Sequence, residues 1–292
     1  MSISQNKYSK HLFFMRLALQ QAKKNLGNTK LNPSVGCVVV KNNNTILSVG
    51  STSLNGRPHA EHNALSFSKV SLKNSSIYVT LEPCSHYGKT KPCVNLILKK
   101  KIKRVYFSVN DPDIRSFDKS THKFKQKNIL VKKNILSAEV NKFYKSYFKY
   151  KKNSLPFVTS KLAISKDFFA NNMKKKWITN KFSRDRVHMM RSCHDCLLTS
   201  SKTIIKDNPR LDCRINGLQN TSPSLIILDK DLKIPLNSFV IKFAKRRRTI
   251  VFFNKINKRK LIILKKNKIK VVRVDSINNG YFNLRDILFK IK

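Results

Sequence analysis

Acidic residues and glycine are scarce in this sequence. Its 292 residues include 15 Asp and Glu against 61 Lys and Arg, a formal net charge of +46, and only seven glycines. No GxGxxG phosphate loop is present, which argues against a Rossmann-type dinucleotide site. No apolar run approaches the ~20 residues that a membrane helix needs, so we expect no membrane association.

The positive charge raises the question of nucleic acid. A field of this size attracts polyanions. The excess is mostly lysine, however, and it is spread along the whole chain together with abundant Asn, Ile and Ser. This distribution favours compositional bias at tolerant surface positions, so nucleic acid is not the expected partner.

The cysteines and the N-terminal segment bear on the compartment. Six cysteines in a chain of this length do not suggest a disulfide framework, and spaced Cys and His point instead to a metal site or to burial. The N-terminal segment shows no apolar stretch followed by a small-residue cleavage site. We therefore expect a cytoplasmic protein.

Hydrophobic patterning predicts an α/β protein with two domains, residues 1–152 and 153–292. The first alternates as ββαβαβ, which predicts a sheet covered by helices. The second again alternates strands with helices. Its predicted strands are 156–165, 195–200, 224–229, 248–253 and 269–275.

The sharpest chemical signal is "PHAEHNAL" followed by "EPCSHYGKTKPC". A catalytic zinc takes three nitrogen or sulfur ligands and keeps one position for water, and His59, Cys84 and Cys93 provide such a set. Glu61 can stand beside the open position and shuttle a proton to a leaving amine. The order H-x-E and then P-C…C is the signature of zinc-dependent base deaminases. Each piece alone is explained as well by burial, and the combination favours the deaminase.

Eight residues separate the two cysteines, where deaminases of polynucleotides and nucleosides usually have two. Together with "NPSVGCVVV", this segment resembles the deaminase half of the bifunctional deaminase–reductase family of riboflavin biosynthesis. The resemblance implies a cytidine-deaminase-like α/β/α sandwich with a mixed sheet. It also implies a small-molecule substrate, 2,5-diamino-6-(5-phosphoribosylamino)pyrimidin-4(3H)-one, deaminated to 5-amino-6-(5-phosphoribosylamino)uracil. The implied site residues are the zinc ligands His59, Cys84 and Cys93, the proton shuttle Glu61, and the substrate contacts Asn32, Gly88, Lys89 and Thr90.

The resemblance continues through "KLAISKD", "WIT", "RDRVHMMRS" and "LLTSSKTIIKDNPRLDCR". These follow the family's reductase half, which is similar to dihydrofolate reductase and uses NADPH to reduce the ribosyl group to a ribityl chain. The implied cofactor contacts are Ala163, Trp177, Thr203 and Asp207. The implied substrate contacts are Lys175, Arg191, Leu211 and Arg214, of which Lys175 replaces the family's serine.

Departures from the family concentrate in this second half. The family's S-L-D-G-[KR] reads "SKDFF" at 165–169. The family's glutamate–glycine–glycine segment, whose glycines would cradle cofactor phosphates, has no counterpart before Lys292. We therefore expect a C-terminally shortened reductase-like domain with impaired NADPH-dependent activity, kept as a folding or dimerisation partner in a homo-oligomer.

Two other functions stay open on the sequence. A deaminase acting on tRNA or another nucleic acid would suit the charge and the general zinc signature. A non-enzymatic basic binding protein would suit the charge alone, but it would not need a carboxylate beside a metal site.

Overall fold

The structure is a computed structural model that describes residues 3–42, 44–152, 155–170, 177–275, 277–278 and 280–291. The chain divides into two compact units, Met1–Ser154 and Leu155–Lys292. Within the described ranges, no helix combines the length and the apolar character needed to cross a membrane.

The first unit is built on one five-stranded sheet. Its helices are α1 Ile3–Lys23, α2 Ala60–Ser66, α3 Cys93–Lys99, α4 Lys119–Lys125, α5 Ser137–Phe143 and α6 Lys145–Lys152. Its strands are β1 Gly36–Val40, β2 Ile46–Ser51, β3 Ser76–Leu81, β4 Arg104–Val109 and β5 Leu130–Lys132. The strand order is β2-β1-β3-β4-β5. β1 is antiparallel to β2 and β3, whereas β3, β4 and β5 are parallel, so the predicted mixed sheet is confirmed.

Two glycines show how helices cover this sheet. A Cβ at Gly36 would lie 1.8 Å from the carbonyl oxygen of Ala18 in α1, and one at Gly50 would lie 2.2 Å from that of Ala60 in α2. Gly50 is the register partner of Cys37, the residue after Gly36, and successive strand residues face opposite sides of a sheet. α1 and α2 therefore cover opposite faces, as in an α/β/α sandwich.

The second unit contains a separate parallel sheet. Its helices are α7 Lys181–Ser192, α8 Ser201–Asp207, α9 Phe239–Lys242, α10 Lys258–Lys266 and α11 Leu284–Ile291. Its strands are β6 Cys196–Ser200, β7 Ser224–Leu228, β8 Thr249–Phe253, β9 Lys270–Arg273, β10 Ile277–Asn278 and β11 Tyr281–Phe282. The parallel sheet has the order β6-β7-β8-β9, and β10 pairs with β11 alone.

Alternate residues of the central strands fill two cores, one on each face of this sheet. Leu225, Ile227 and Val251 pack in one cluster, and Ile226 and Ile250 pack in the other. The continuous apolar runs of β7 and β8 follow from this burial on both faces, which is typical of parallel sheets.

The predicted strand at 156–165 is wrong, because these residues have no strand pairing in the part of the chain that the structure describes. Val158 and Leu162 are 60% and 72% exposed. An apolar run becomes a strand only where a sheet edge supplies partners for its backbone groups. The described sheet pairs its four strands with one another and leaves this run outside.

Candidate metal centre

Three different elements bring the predicted metal ligands together. His59 is the N-cap residue of α2, and Cys93 is the first residue of α3. Cys84 follows β3 by three residues, and its thiol accepts a hydrogen bond of 3.3 Å from the backbone N–H of Cys93. The starts of two short helices and the end of a buried strand therefore meet at one edge of the sheet.

The spacing of the ligand atoms fits a zinc ion. The Nδ1 atom of His59 lies 3.6 Å from Sγ of Cys84 and 3.5 Å from Sγ of Cys93. Tetrahedral zinc, with Zn–S of about 2.3 Å and Zn–N of about 2.0 Å, places such atoms about 3.5 Å apart. All three ligand atoms lie within 4.8 Å of one another. The one-His, two-Cys set thus fits Zn²⁺ with one coordination position left.

The three metal donors shift one another's pKa. Hydrogen bonding from the Cys93 thiol, together with that from His59, lowers the pKa of Cys84 to about 4. Hydrogen bonding to Cys84 raises the pKa of His59 and, with burial, that of Cys93. Metal ligands must be deprotonated, so a metal ion would take the place of the protons on these donors.

Glu61 lies in the first turn of α2 and is only 4% exposed. Burial and the nearby Cys84 thiolate raise its pKa to about 7. A carboxyl group in this state can both accept and donate a proton near neutral pH. Its place two residues after His59 puts it beside the cluster without making it a member of the three-ligand group.

The segment between the two cysteines is held from several sides. The Nη1 atom of Arg57 donates to Oγ1 of Thr90 at 2.6 Å, and Nζ of Lys123 donates to the Ser85 carbonyl at 2.7 Å. Nδ1 of His86 lies 2.9 Å from Oγ of Ser116. Since Arg57 precedes His59 by two residues, the contact to Thr90 joins this segment to the entry of α2.

The predicted substrate contacts of this unit border the centre. Gly88, Lys89 and Thr90 are exposed on the same segment. Asn32, before β1, donates from Nδ2 to the carbonyl of Gly56 at 2.9 Å. Asn32 and Thr90 thus contact Gly56 and Arg57, respectively, two or three residues before His59, and their roles in substrate binding stay predictions.

In the second unit, two of the predicted substrate residues, Arg191 and Arg214, contact Asp212. The Nη1 atom of Arg191 donates to the Asp212 carbonyl at 2.9 Å, and Nη1 of Arg214 lies 3.3 Å from Oδ1 of Asp212. Arg210 also pairs with this carboxylate, at 2.9 Å, and Arg247 donates to the Arg210 carbonyl at 2.9 Å. We call Arg191, Arg210, Arg214 and Arg247 the arginine cluster.

The arginine cluster has an excess of positive charge. Burial and the charge of Arg214 lower the pKa of Arg191, and its Nε atom is buried without a hydrogen-bond partner among the described residues. Leu211 has a φ of 57°, and its carbonyl accepts from Arg247 at 2.7 Å. This arrangement can accept an anion such as a phosphate group.

The predicted cofactor contacts are distributed along the second unit. Thr203 and Asp207 lie in α8, the latter exposed, and Ala163 lies in the unpaired run before it. Trp177 is 57% exposed, with the guanidinium of Arg184 stacked 4.8 Å from its ring centre. Lys175 lies outside the described residues.

Sequence reasoning missed two groups that support these residues. Arg57 contacts Thr90 across 33 positions, and His188 contacts Arg214 across 26. No spacing rule connects residues so far apart, and a lone arginine or histidine carries no signal of its own.

Two family profiles match the sequence. The cytidine and deoxycytidylate deaminase zinc-binding region matches residues 8–109, and the RibD C-terminal domain matches 156–288. Both halves of the predicted fold class are thereby confirmed. The expected C-terminal shortening of the second domain is not supported, because its family profile matches nearly the whole unit.

Named relatives align along most of this chain. The riboflavin biosynthesis protein RibD of Aquifex aeolicus (strain VF5) is 36% identical over 281 residues, covering 96% of this chain and 76% of the relative. RibD of Buchnera aphidicola subsp. Baizongia pistaciae (strain Bp) is 38% identical, covering 82% of this chain and 64% of that protein. The matched regions thus span 76% and 64% of these relatives' own lengths.

A solved structure also matches. The crystal structure of a diaminohydroxyphosphoribosylaminopyrimidine deaminase/5-amino-6-(5-phosphoribosylamino)uracil reductase from Thermotoga maritima has a TM-score of 0.84 and 31% identity, covering 98% of this chain and 78% of its own. RibD of Acinetobacter baumannii gives a TM-score of 0.81 at 27% identity, with coverages of 97% and 77%.

Proposed function

Because the chain belongs to the family of RibD riboflavin biosynthesis proteins, we propose that its first unit is a zinc-dependent pyrimidine deaminase of that pathway. The reaction is hydrolysis of the 2-amino group of 2,5-diamino-6-(5-phosphoribosylamino)pyrimidin-4(3H)-one. Water replaces the amine, and the products are 5-amino-6-(5-phosphoribosylamino)uracil and ammonia.

The observation that carries this proposal is a buried carboxyl group next to three metal donors at tetrahedral spacing. His59, Cys84 and Cys93 would hold the ion. Zinc in such a site lowers the pKa of water and so supplies a nucleophile near neutral pH. The chain's own contribution to the proton path is Glu61.

A carboxylate oxygen of Glu61 accepts the proton that the attacking water loses. The same carboxyl group then donates a proton to the leaving nitrogen, so that ammonia departs and Glu61 returns to its starting state. Burial favours both steps because it raises the pKa of Glu61 to about 7. The hydrogen bonds around Ser85 and Thr90 keep the neighbouring loop in place during this exchange.

The substrate is identified by incubating zinc-loaded protein with three candidate substrates: the diaminopyrimidinone ribosylamine phosphate, dCMP and an unmodified tRNA. We expect ammonia from the first alone, and mass spectrometry should find one amino group replaced by oxygen. Ammonia from tRNA, and none from the diaminopyrimidinone, would instead support the nucleic-acid deaminase.

For the second unit we propose an NADPH-binding, reductase-like domain whose turnover is impaired. Its departure from the family at 165–169 supports this: Phe168, where the family has glycine, has a φ of 65° and is 81% exposed. Purified protein given the deaminated intermediate and NADPH should show no oxidation of NADPH above background. Clear oxidation coupled to a ribityl product would contradict the impairment while leaving the family assignment intact.

We also expect a cytoplasmic protein that self-associates and needs no nucleic acid. Light scattering on ribonuclease-treated protein should give a mass above one 33.8 kDa chain. A monomer mass over the working concentration range would contradict the association.

A further inference from the structure

His188 lies one turn before Arg191 on α7 and contacts the buried side of the arginine cluster. Its side chain is only 8% exposed. Nε2 lies 3.2 Å from Nη2 of Arg214, and Nδ1 lies 3.1 Å from the carbonyl oxygen of Asp212. The backbone carbonyl of His188 accepts from the Cys213 thiol at 3.4 Å. One buried imidazole therefore touches both the backbone and a guanidinium of the cluster.

These partners determine the charge state of the imidazole. A guanidinium can only donate, so Nε2 must accept from Arg214, and an accepting Nε2 requires the neutral ring. Nδ1 faces the Asp212 carbonyl, the backbone N–H of Arg214 at 3.3 Å and Nη1 of Arg191 at 3.4 Å. Burial and the charges of Arg191 and Arg214 lower the pKa of His188, and the carboxylate of Asp212, the acidic group facing it, opposes them only in part.

The contact matters because Arg214 has few other restraints. Its side chain is 43% exposed, and its ion pair with Asp212 measures 3.3 Å, close to the limit of a useful hydrogen bond. Asp212 is also shared with Arg210. Without the acceptor Nε2 of His188, the long side chain of Arg214 would sample many rotamers and would lose conformational entropy on binding an anion.

We propose that His188 is a positioning residue that orients Arg214, and with it the arginine cluster, to bind the phosphate group of a sugar-phosphate ligand. The inference rests on the proposed function of the second unit as a binder of a phosphoribosyl substrate. His188 does not touch the ligand. It acts by accepting a hydrogen bond from Arg214 on the side away from solvent.

The test compares His188→Leu with His188→Gln. Leucine removes both hydrogen bonds, whereas the glutamine amide can donate to Asp212 and accept from Arg214. Binding of ribose 5-phosphate and of unphosphorylated ribose is followed by NMR titration on the full chain. His194→Leu is the matched control, because His194 contacts Met190 and Thr159 rather than the arginines.

We expect His188→Leu to weaken ribose 5-phosphate binding about tenfold, the loss of one hydrogen bond to a charged group, while His188→Gln and His194→Leu stay near wild type. In an Arg214→Ala background, His188→Leu should have no further effect. The thermal midpoint of the full chain reports whether each variant is folded.

Wild-type binding of ribose 5-phosphate that His188→Leu leaves unchanged would overturn the inference. An equal loss with and without Arg214 would also overturn it, since that pattern indicates a general structural role. If the wild-type chain binds ribose 5-phosphate no better than ribose, the proposed phosphoribosyl site of the second unit is itself wrong.

Discussion

Replacing Gly50 with alanine should disable the metal centre from a distance. A Cβ on this β2 residue would lie 2.2 Å from the carbonyl oxygen of Ala60 and 2.6 Å from the backbone nitrogen of Ala64. Both atoms belong to the backbone of α2, which cannot rotate aside as a side chain could. Ordinary contacts are ~3.5 Å, so α2 would have to retreat by about 1 Å.

That displacement would move Glu61 together with the helix that follows His59. A misplacement of about 1 Å can cost about 100-fold in rate, and overpacking costs roughly 1–3 kcal/mol of stability. We therefore expect Gly50→Ala to release ammonia about 100-fold more slowly, with a lower thermal midpoint. The assays are a coupled ammonia measurement, zinc content by mass spectrometry and thermal unfolding.

Gly88→Ala is the matched control for folding and metal content. A Cβ there meets only Nη2 of Arg57, at 3.7 Å, an ordinary contact with a mobile group. Its zinc content and thermal midpoint should equal those of the wild type. If Gly50→Ala also keeps the wild-type midpoint, zinc content and rate, the argument that β2 fixes the position of α2 is refuted.

Three further changes test other parts of the structure. Cys84→Ser should abolish zinc binding and ammonia release, whereas Cys196→Ser, in the second unit, should keep the full metal content. The hydrogen bond from Arg115 lowers the pKa of Asp113 well below its ordinary value, so its stabilisation is full at neutral pH and declines only gradually as the pH falls below about 4. In urea unfolding, Asp113→Asn should lower stability by about 1 kcal/mol at pH 7, and its difference from the wild type should shrink progressively as the pH falls below about 4. Phe168→Gly should stabilise the second unit by about 1 kcal/mol, because it relieves a left-handed residue, and an unchanged or lower midpoint would contradict that strain.

The metal ligands are predictable from the sequence because they occur in short motifs with characteristic spacing. His59 and Glu61 flank the start of one helix, and Cys93 begins another. The buried strands were also predictable, because β7 and β8 are continuous apolar runs that lie within a residue or two of the expected positions.

Features that depend on tertiary partners were not predictable. The run 156–165 has strand-like composition, but no described strand pairs with it, and composition does not reveal whether an edge is available. The role proposed for His188 depends on its contact with Arg214, which only the folded structure shows.

The most direct test of the proposed mechanism is Glu61→Gln in zinc-loaded protein, with the exposed Glu139→Gln, whose partner is Arg16 at 3.1 Å, as control. Glutamine keeps the shape of the buried side chain but cannot accept and return a proton. We expect Glu61→Gln to keep full zinc content and to lose at least about 100-fold in ammonia release, while the control releases ammonia like the wild type. Full zinc content with undiminished ammonia release would contradict it.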